Sequence, residues 1–511
     1  MSKHRTRSTA AAFAGLAVIL IAAAALRHQR IGYDAVSFDE MWHLVLSTGR
    51  GSPQMTMPAN TPVHMPESIS DLTGAPPWWS AWTHMDRVLH PPLFVLTMRG
   101  WRHVFGSGDL VAQWYVAAWS IAAIVAAADF VLTLTRRRAA ALWTAAILAV
   151  SPTQILLSQE VRAYPMLMGL ACIALAVAAR IETRGFTTLR AAALATAMLA
   201  MMLTHYFALG PCLAIAAWAA IRLRGRALAG MFIAFAAIAV VFAAAWGPFM
   251  IRQIPDISHT ADPWLKDSST AADALRRFLG MPVRLLVESA GRGWVASVAG
   301  AAVLVAAGAV LRRRRELLLP LLWFFGGCGF LLALDLARST RHLEFLRYSL
   351  ISAPAVAAML VMIQPARWSV VGHVACAALV TTLLWLNPLA YADDPLDYAD
   401  FRLVRRHMVE HVRPGEAMLF YSGPRAKGYF NEILLLSATR EPTLFPRDVV
   451  KLMSPADAAL VQSLPGETAW LYSGPIDDAS TVLPGARVIE QATLTDPGGR
   501  FVAVCTRVAL R

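Results

Sequence analysis

The sequence predicts a polytopic α-helical membrane protein that carries a small α/β domain in its C-terminal part. Three observations predict it. The 511 residues are 57% hydrophobic and 15% charged, with a positive mean hydropathy, a balance at odds with a soluble domain. Apolar runs able to cross about 30 Å of hydrocarbon recur from near residue 8 to near residue 388, each bounded by charges, Pro or Gly. After Asn387 the chain turns polar, and short strand-like segments alternate with helical ones.

The apolar runs give about eleven spans, at 8–26, 109–135, 139–157, 164–181, 189–205, 207–221, 229–250, 294–311, 317–335, 346–364 and 368–388. The formal net charge of +13 does not call for a nucleic-acid partner, because its basic clusters fall in alternate loops. Lys3, Arg5 and Arg7 precede the first span; Arg136 to Arg138, Arg184 with Arg190, Arg222 with Arg224 and Arg226, and Arg312 to Arg315 follow at every second crossing. The positive-inside rule then places the amino terminus in the cytoplasm of a multi-pass plasma (inner) membrane protein. An odd number of crossings leaves the polar tail outside, with the loops at 27–108 and 251–293. A basic start, an apolar stretch and Ala22 to Ala25 also fit a cleaved signal peptide, which leaves the remaining topology unchanged. The expected division is a membrane domain over 1–390, with its long first outer loop at 27–108, and an extracytoplasmic α/β domain over 391–511.

Cys172, Cys212, Cys328 and Cys376 lie in apolar runs, where a thiol packs as a small hydrophobe. Cys505 is alone in the tail, so no disulfide forms within that domain, and no metal-ligand cysteine spacing appears. In the tail, Ala417 to Tyr421, Ala469 to Tyr472, Val488 to Thr493 and Phe501 to Val508 read as strands. Residues 399–413 and 454–464 have helical spacing, the second with Ser454 as N-cap and Pro455 in its first turn. Without a nucleophile elbow, phosphate loop or zinc pattern, the domain reads as structural or acceptor-docking. Asp393, Asp394 and Asp397 at its entrance read as a solvated linker, with attraction of a cation as the competing reading.

Chemistry is therefore expected in the outer loops, where polar residues crowd the span ends. Asp39 and Glu40 follow the first span; neighbouring helical side chains diverge by about 100°, so one of the two would face a given cavity, and acids also suit a helix start. His90 precedes Pro91 and Pro92, which fix a rigid approach to the membrane, although Trp78, Trp79 and Trp82 nearby read equally as an interfacial belt. Ser158 to Pro165 joins two spans with almost no spacer and carries Glu160, Arg162 and Tyr164, as a site or as a structural ion pair. Thr204-His205-Tyr206 and the segment Arg338 to Tyr348, with Arg341, His342, Arg347 and Tyr348, complete the set. Outer-leaflet arginines suit a lipid phosphate held by a guanidinium, or anionic headgroups.

Asp39-Glu40, His90-Pro91-Pro92-Leu93, Ser158-Gln159-Glu160-Val161-Arg162-Ala163-Tyr164, Thr204-His205-Tyr206-Phe207 and Arg347-Tyr348 resemble, in order and face, the motifs of bacterial GT-C glycosyltransferases. The similar group is the protein O-mannosyltransferase and lipid A aminoarabinose transferase superfamily. The resemblance spans about 350 residues and leaves out the tail and residues 44–89, which read as an insertion in the first loop. It implies a GT-C-like fold, a polyprenyl-phosphate sugar donor, a lipid, glycan or protein acceptor reached from outside, and inversion at the anomeric carbon. Asp39 matches the family's base, with Glu40 beside it, and Glu160 its second acidic position. Arg162, Arg347 and His90 are expected around the leaving phosphate, with Tyr164, His205 and Tyr348 orienting phosphate or sugar. His90 stands where some relatives carry lysine, so a permanent charge there is in doubt. No cofactor is required by this scheme; a divalent cation bound by Asp39 and Glu160 stays open. A lipid or glycan transporter or flippase, or a scaffold presenting the tail, are the readings from other classes; no internal repeat supports the first.

Overall fold

Each of the eleven predicted apolar runs is helical in the structure, a computed structural model describing residues 2–29, 31–32, 36–85, 90–256, 265–266, 270–288, 293–364, 370–392, 401–423, 430–476, 479–496 and 499–510. Among the described residues, seven helices are long and apolar enough to cross a membrane: Ala10–His28, Asp109–Thr135, Tyr164–Arg184, Gly225–Pro255, Trp294–Leu311, Arg315–Arg338 and Val370–Pro388. The chain is a multi-pass membrane protein. The other four runs form shorter apolar helices, Arg138–Val150, Thr188–Met202, Tyr206–Arg222 and Leu346–Met362.

Two shortenings have local causes. The run expected as one span over 139–157 breaks at Ser151, held extended (φ −63°, ψ 122°) because Pro152 disfavours a helical residue before it. The carbonyls released there find side-chain donors: Arg27 reaches Ala149 O at 3.2 Å, and Asn387 Nδ2 reaches Val150 O at 2.8 Å. Arg27 is fully buried and also donates to Ser120 Oγ through Nε and Nη2, at 3.2 and 3.0 Å. A cation at the negative end of a helix is well placed. The run expected to reach residue 205 stops at Met202, and His205 is extended. Helices Tyr206–Arg222 and Arg315–Arg338 meet backbone to backbone, since a Cβ at Gly210 would lie 2.0 Å from Gly326 O.

The chain forms two compact units. The membrane unit comprises Met1–Ile31, Val88–Phe94 and Gln113–Asp394; the sheet unit comprises Gly32–Arg87, Val95–Ala112 and Pro395–Arg511. Most of the loop at 27–108 thus shares a unit with the tail. Its strand β1 (Pro62–Met65) pairs antiparallel with β3 (Arg447–Leu452), in a six-stranded sheet ordered β1-β3-β2-β4-β6-β5 with β2 (Ala417–Tyr421), β4 (Thr468–Ser473), β5 (Arg487–Thr495) and β6 (Phe501–Ala509). The central pairs β2–β3 and β2–β4 are parallel, while β6 is antiparallel to both β4 and β5. Leu419, Val450, Leu452, Leu471 and Val508 pack with Leu460, Val482 and Leu483 to form one core. The second predicted tail helix starts later than expected, as Ala458–Ser463: its N-cap is Asp457, whose Oδ1 accepts the Leu460 N–H at 2.7 Å, while Ser454 Oγ accepts from Asn60 Nδ2. Asp393, Asp394 and Asp397 lie outside the described residues.

Candidate functional site

The membrane unit gathers six of the expected residues around a cluster of rings. Leu93 N donates to Leu203 O at 2.9 Å, tying the His90-Pro91-Pro92 segment to the end of helix Thr188–Met202. The His90 ring lies 4.8 Å from that of His205. His205 packs in turn against Tyr164 at 5.2 Å and Phe207 at 4.7 Å, and Tyr348 closes the group at 5.8 Å from Tyr164 and 5.1 Å from Phe207. The guanidinium of Arg162 sits 5.8 Å from the centre of the Tyr164 ring, and that of Arg347 sits 5.7 Å from the centre of Tyr348. Arg162, Tyr164 and His205 are buried; His90, Arg347 and Tyr348 are half-buried.

Local structure explains these placements. The loop before helix Tyr164–Arg184 turns sharply, with Arg162 N donating to Glu160 O at 2.6 Å, and Pro165 suits the first helical turn. Tyr164 is thereby presented at the positive end of a 21-residue helix, favourable ground for an anion. The Tyr164 hydroxyl is buried and has no hydrogen-bond partner among the described residues. Such a hydroxyl is costly unless a ligand takes it up. His205 Nδ1 accepts the Phe207 N–H at 3.1 Å, so a neutral His205 carries its proton on Nε2. Arg284 donates to Leu343 O and Glu344 O, each at 2.8 Å, and fixes the turn that precedes Arg347 and Tyr348. Glu160 is half-buried in the same unit.

Asp39 and Glu40 belong to the sheet unit, on helix Phe38–Ser47. Glu40 is buried and its Oε2 accepts the Ser37 N–H at 2.7 Å, which gives this acid a capping role at the helix start. Asp39 is half-buried, and its carbonyl is 2.6 Å from His43 Nδ1. At the far end of the helix, buried Arg102 donates to Leu44 O at 2.9 Å and Ser47 Oγ at 2.6 Å, and to Ser70 O and Ser107 O at 2.6 and 2.8 Å. Burial lowers the Arg102 pKa to about 10, against the opposing pull of Asp109 and Asp71, so the group stays charged. Arg99, one turn earlier, donates to Thr48 O at 2.9 Å. Helix Phe430–Thr439 supports the same region, with Thr439 bonded by Ser68 and Ser70. No group of three or more His, Cys, Asp or Glu side chains among the described residues is arranged to hold a metal ion.

No family model and no curated protein sequence matches the chain. Solved structures do match. ArnT from Cupriavidus metallidurans in the apo state, a GT-C glycosyltransferase, aligns with a TM-score of 0.60 at 14% identity, over 98% of this chain and 98% of that one. The same protein bound to undecaprenyl phosphate aligns at 0.55 and 13%, over 99% and 98%. The chain has the GT-C fold. Near-complete coverage of both chains extends that fold through the tail, where the sequence motifs had stopped. Within the GT-C fold, sequence reading missed Asp335, Arg99, Arg102 and Arg284. Arg99 and Arg102 had a readable trace as two cations three apart in the apolar helix Leu93–Phe105, whereas Asp335 looked like the polar end of a span.

Proposed function

We propose that this chain is an inverting glycosyltransferase that moves a sugar from a polyprenyl-phosphate donor to an acceptor on the extracytoplasmic side of the membrane. The observation that carries the reading is the ring cluster with its flanking cations: Arg162 and Arg347 lie over tyrosines, the His90 and His205 rings sit 4.8 Å apart at a tilt, and a buried Tyr164 hydroxyl has no partner among the described residues. Two guanidiniums and two imidazoles suit a phosphate that gains charge as it leaves. Asp39 is the general base: it takes the proton of the acceptor hydroxyl, the oxygen attacks the anomeric carbon, and the bond from that carbon to the phosphate oxygen breaks with inversion. The phosphate departs with the bonding pair and needs no acid. Glu160 supports the acceptor side, and Glu40 caps the start of the helix that carries Asp39. The arginines neutralise the phosphate, so the scheme requires no metal.

Support for the donor class comes from ArnT, crystallised with undecaprenyl phosphate on the same fold. The basic loops at every second crossing put the amino terminus in the cytoplasm and the sheet unit outside. The test is label transfer by membranes containing the wild type from a panel of radiolabelled polyprenyl-phosphate sugars, with the anomeric configuration of the product determined. Transfer with inversion is expected. Donor lipid moved across the membrane without loss of its sugar would replace the reading with a transporter.

A further inference from the structure

A buried acid–imidazole pair adjoins the ring cluster and has no part in the scheme above. Asp335 lies in the last turn of helix Phe330–Arg338 and His342 opens the turn His342–Glu344; they are 4% and 5% exposed. His342 Nδ1 lies 2.8 Å from Asp335 Oδ1. The same carboxylate accepts the backbone N–H of His342 at 2.7 Å and of Leu343 at 3.0 Å, and the Thr340 hydroxyl at 2.9 Å. An ionised carboxylate only accepts, so the proton of that contact sits on Nδ1. The chain reaches this geometry through Ser339, whose left-handed φ of 50° ends the helix and brings residues 340–343 back over Asp335. A non-glycine residue held there marks a turn fixed by its surroundings.

The pair is aimed at the site. The His342 ring lies 5.6 Å from Phe207, edge to face, and 6.0 Å from Tyr348, and those two rings contact His205 and Tyr164. None of the described residues bonds His342 Nε2, although the residue is almost wholly buried. A carboxylate needed only to close the turn would be satisfied by the two N–H groups and Thr340. The imidazole adds one thing, a fixed ring with a second nitrogen to offer.

We propose that His342 is a further phosphate-binding residue whose Nε2–H bonds an oxygen of the polyprenyl phosphate, and that Asp335 is its positioning residue. The inference rests on the lipid-phosphate reading given above. Asp335 holds the Nδ1 proton and so fixes the ring with Nε2 towards the phosphate, where Nε2 and a phosphate oxygen share a proton in a charge-assisted bond.

The test is binding of undecaprenyl phosphate to the purified full-length protein, comparing wild type, His342→Asn, His342→Gln and Asp335→Asn, with melting temperature as the measure of folding. An Asn amide occupies the place of Nδ1 and keeps the bond to Asp335, whereas a Gln amide occupies the place of Nε2. Binding about tenfold to a hundredfold weaker in His342→Asn, restored to within about threefold by His342→Gln, is the expected result. Equal affinity in the Asn and Gln variants, whether at the wild-type level or below it, overturns the proposal and leaves the transferase reading standing. A wild type that does not bind undecaprenyl phosphate overturns both.

Discussion

Tyr164 carries a cost in the empty protein that a bound ligand would offset. Its hydroxyl is buried with no partner among the described residues, a deficit of about 1–3 kcal/mol. Tyr164→Phe is therefore expected to melt no lower than the wild type while sugar transfer falls about tenfold; a lower melting temperature with unchanged transfer would make the hydroxyl structural. Glu40 gives the opposite contrast. Because its carboxylate bonds the Ser37 N–H, Glu40→Gln should retain most transfer and stability, and Glu40→Ala should lose about 1 kcal/mol of stability, read from denaturant or thermal unfolding. Residues of this kind were readable where chemistry crowded a span end. Arg162 and Tyr164 stood out because so short a loop, expected on the outer side, has no ordinary use for an arginine. Asp335 did not, since its partner is chosen by the left-handed Ser339, a conformation with no local sequence signal.

At the scale of elements, apolar runs marked the helices well because hydrocarbon leaves a backbone few alternatives. Their ends were set by other forces. Pro152 interrupts a run that hydropathy alone extends to residue 157, and Arg27 and Asn387 bond the carbonyls released there. Arg27→Ala is accordingly expected to destabilise the detergent-purified protein by on the order of 3 kcal/mol, through the lost bonds to Ala149 O and Ser120, and unfolding curves would show it. A change below about 0.5 kcal/mol would deny the bonds that role. In the sheet, β2, β4, β5 and β6 were visible as apolar or alternating runs, but β1, from the first loop, and β3 were not. β3 carries Asp448 and Lys451, and Lys451 is buried because Gln54 O at 2.9 Å and Glu432 at 3.5 Å receive its ammonium. Those partners come from distant segments, so no window around β3 could have revealed it.

At the scale of the whole molecule, the sheet unit recasts two stretches that looked like accessories. The insertion at 44–89 supplies an edge strand to the tail's sheet, and helix Phe38–Ser47, with Asp39, is part of the same unit. Its stability should respond to acid in a defined window. Burial, reinforced by His411, lowers the His407 pKa from 6.5 to about 4, so the folded state resists a proton that the unfolded chain accepts. Stability contributed by neutral His407 is complete above about pH 6.5 and is lost as pH falls towards 4, on the order of 3 kcal/mol in all. Burial alone would raise the Glu416 pKa, but bonds from Thr468, Arg413 N–H and Arg507 hold it below 4.5, and its contribution is lost only below that value. Melting temperature followed from pH 7 to pH 5 should fall in the wild type and much less in His407→Phe; parallel curves would contradict the assignment.

The central claim is that Asp39 performs base chemistry for a sugar carried on a lipid phosphate. The most direct measurement compares wild type and Asp39→Asn, at matched levels, for label transfer and, in parallel, for binding of undecaprenyl phosphate. Transfer reduced about a hundredfold to ten-thousandfold with binding preserved is the predicted result, since that is what loss of a positioned base costs in rate without removing phosphate contacts. Equal transfer by the two proteins would contradict the account and remove Asp39 from the mechanism.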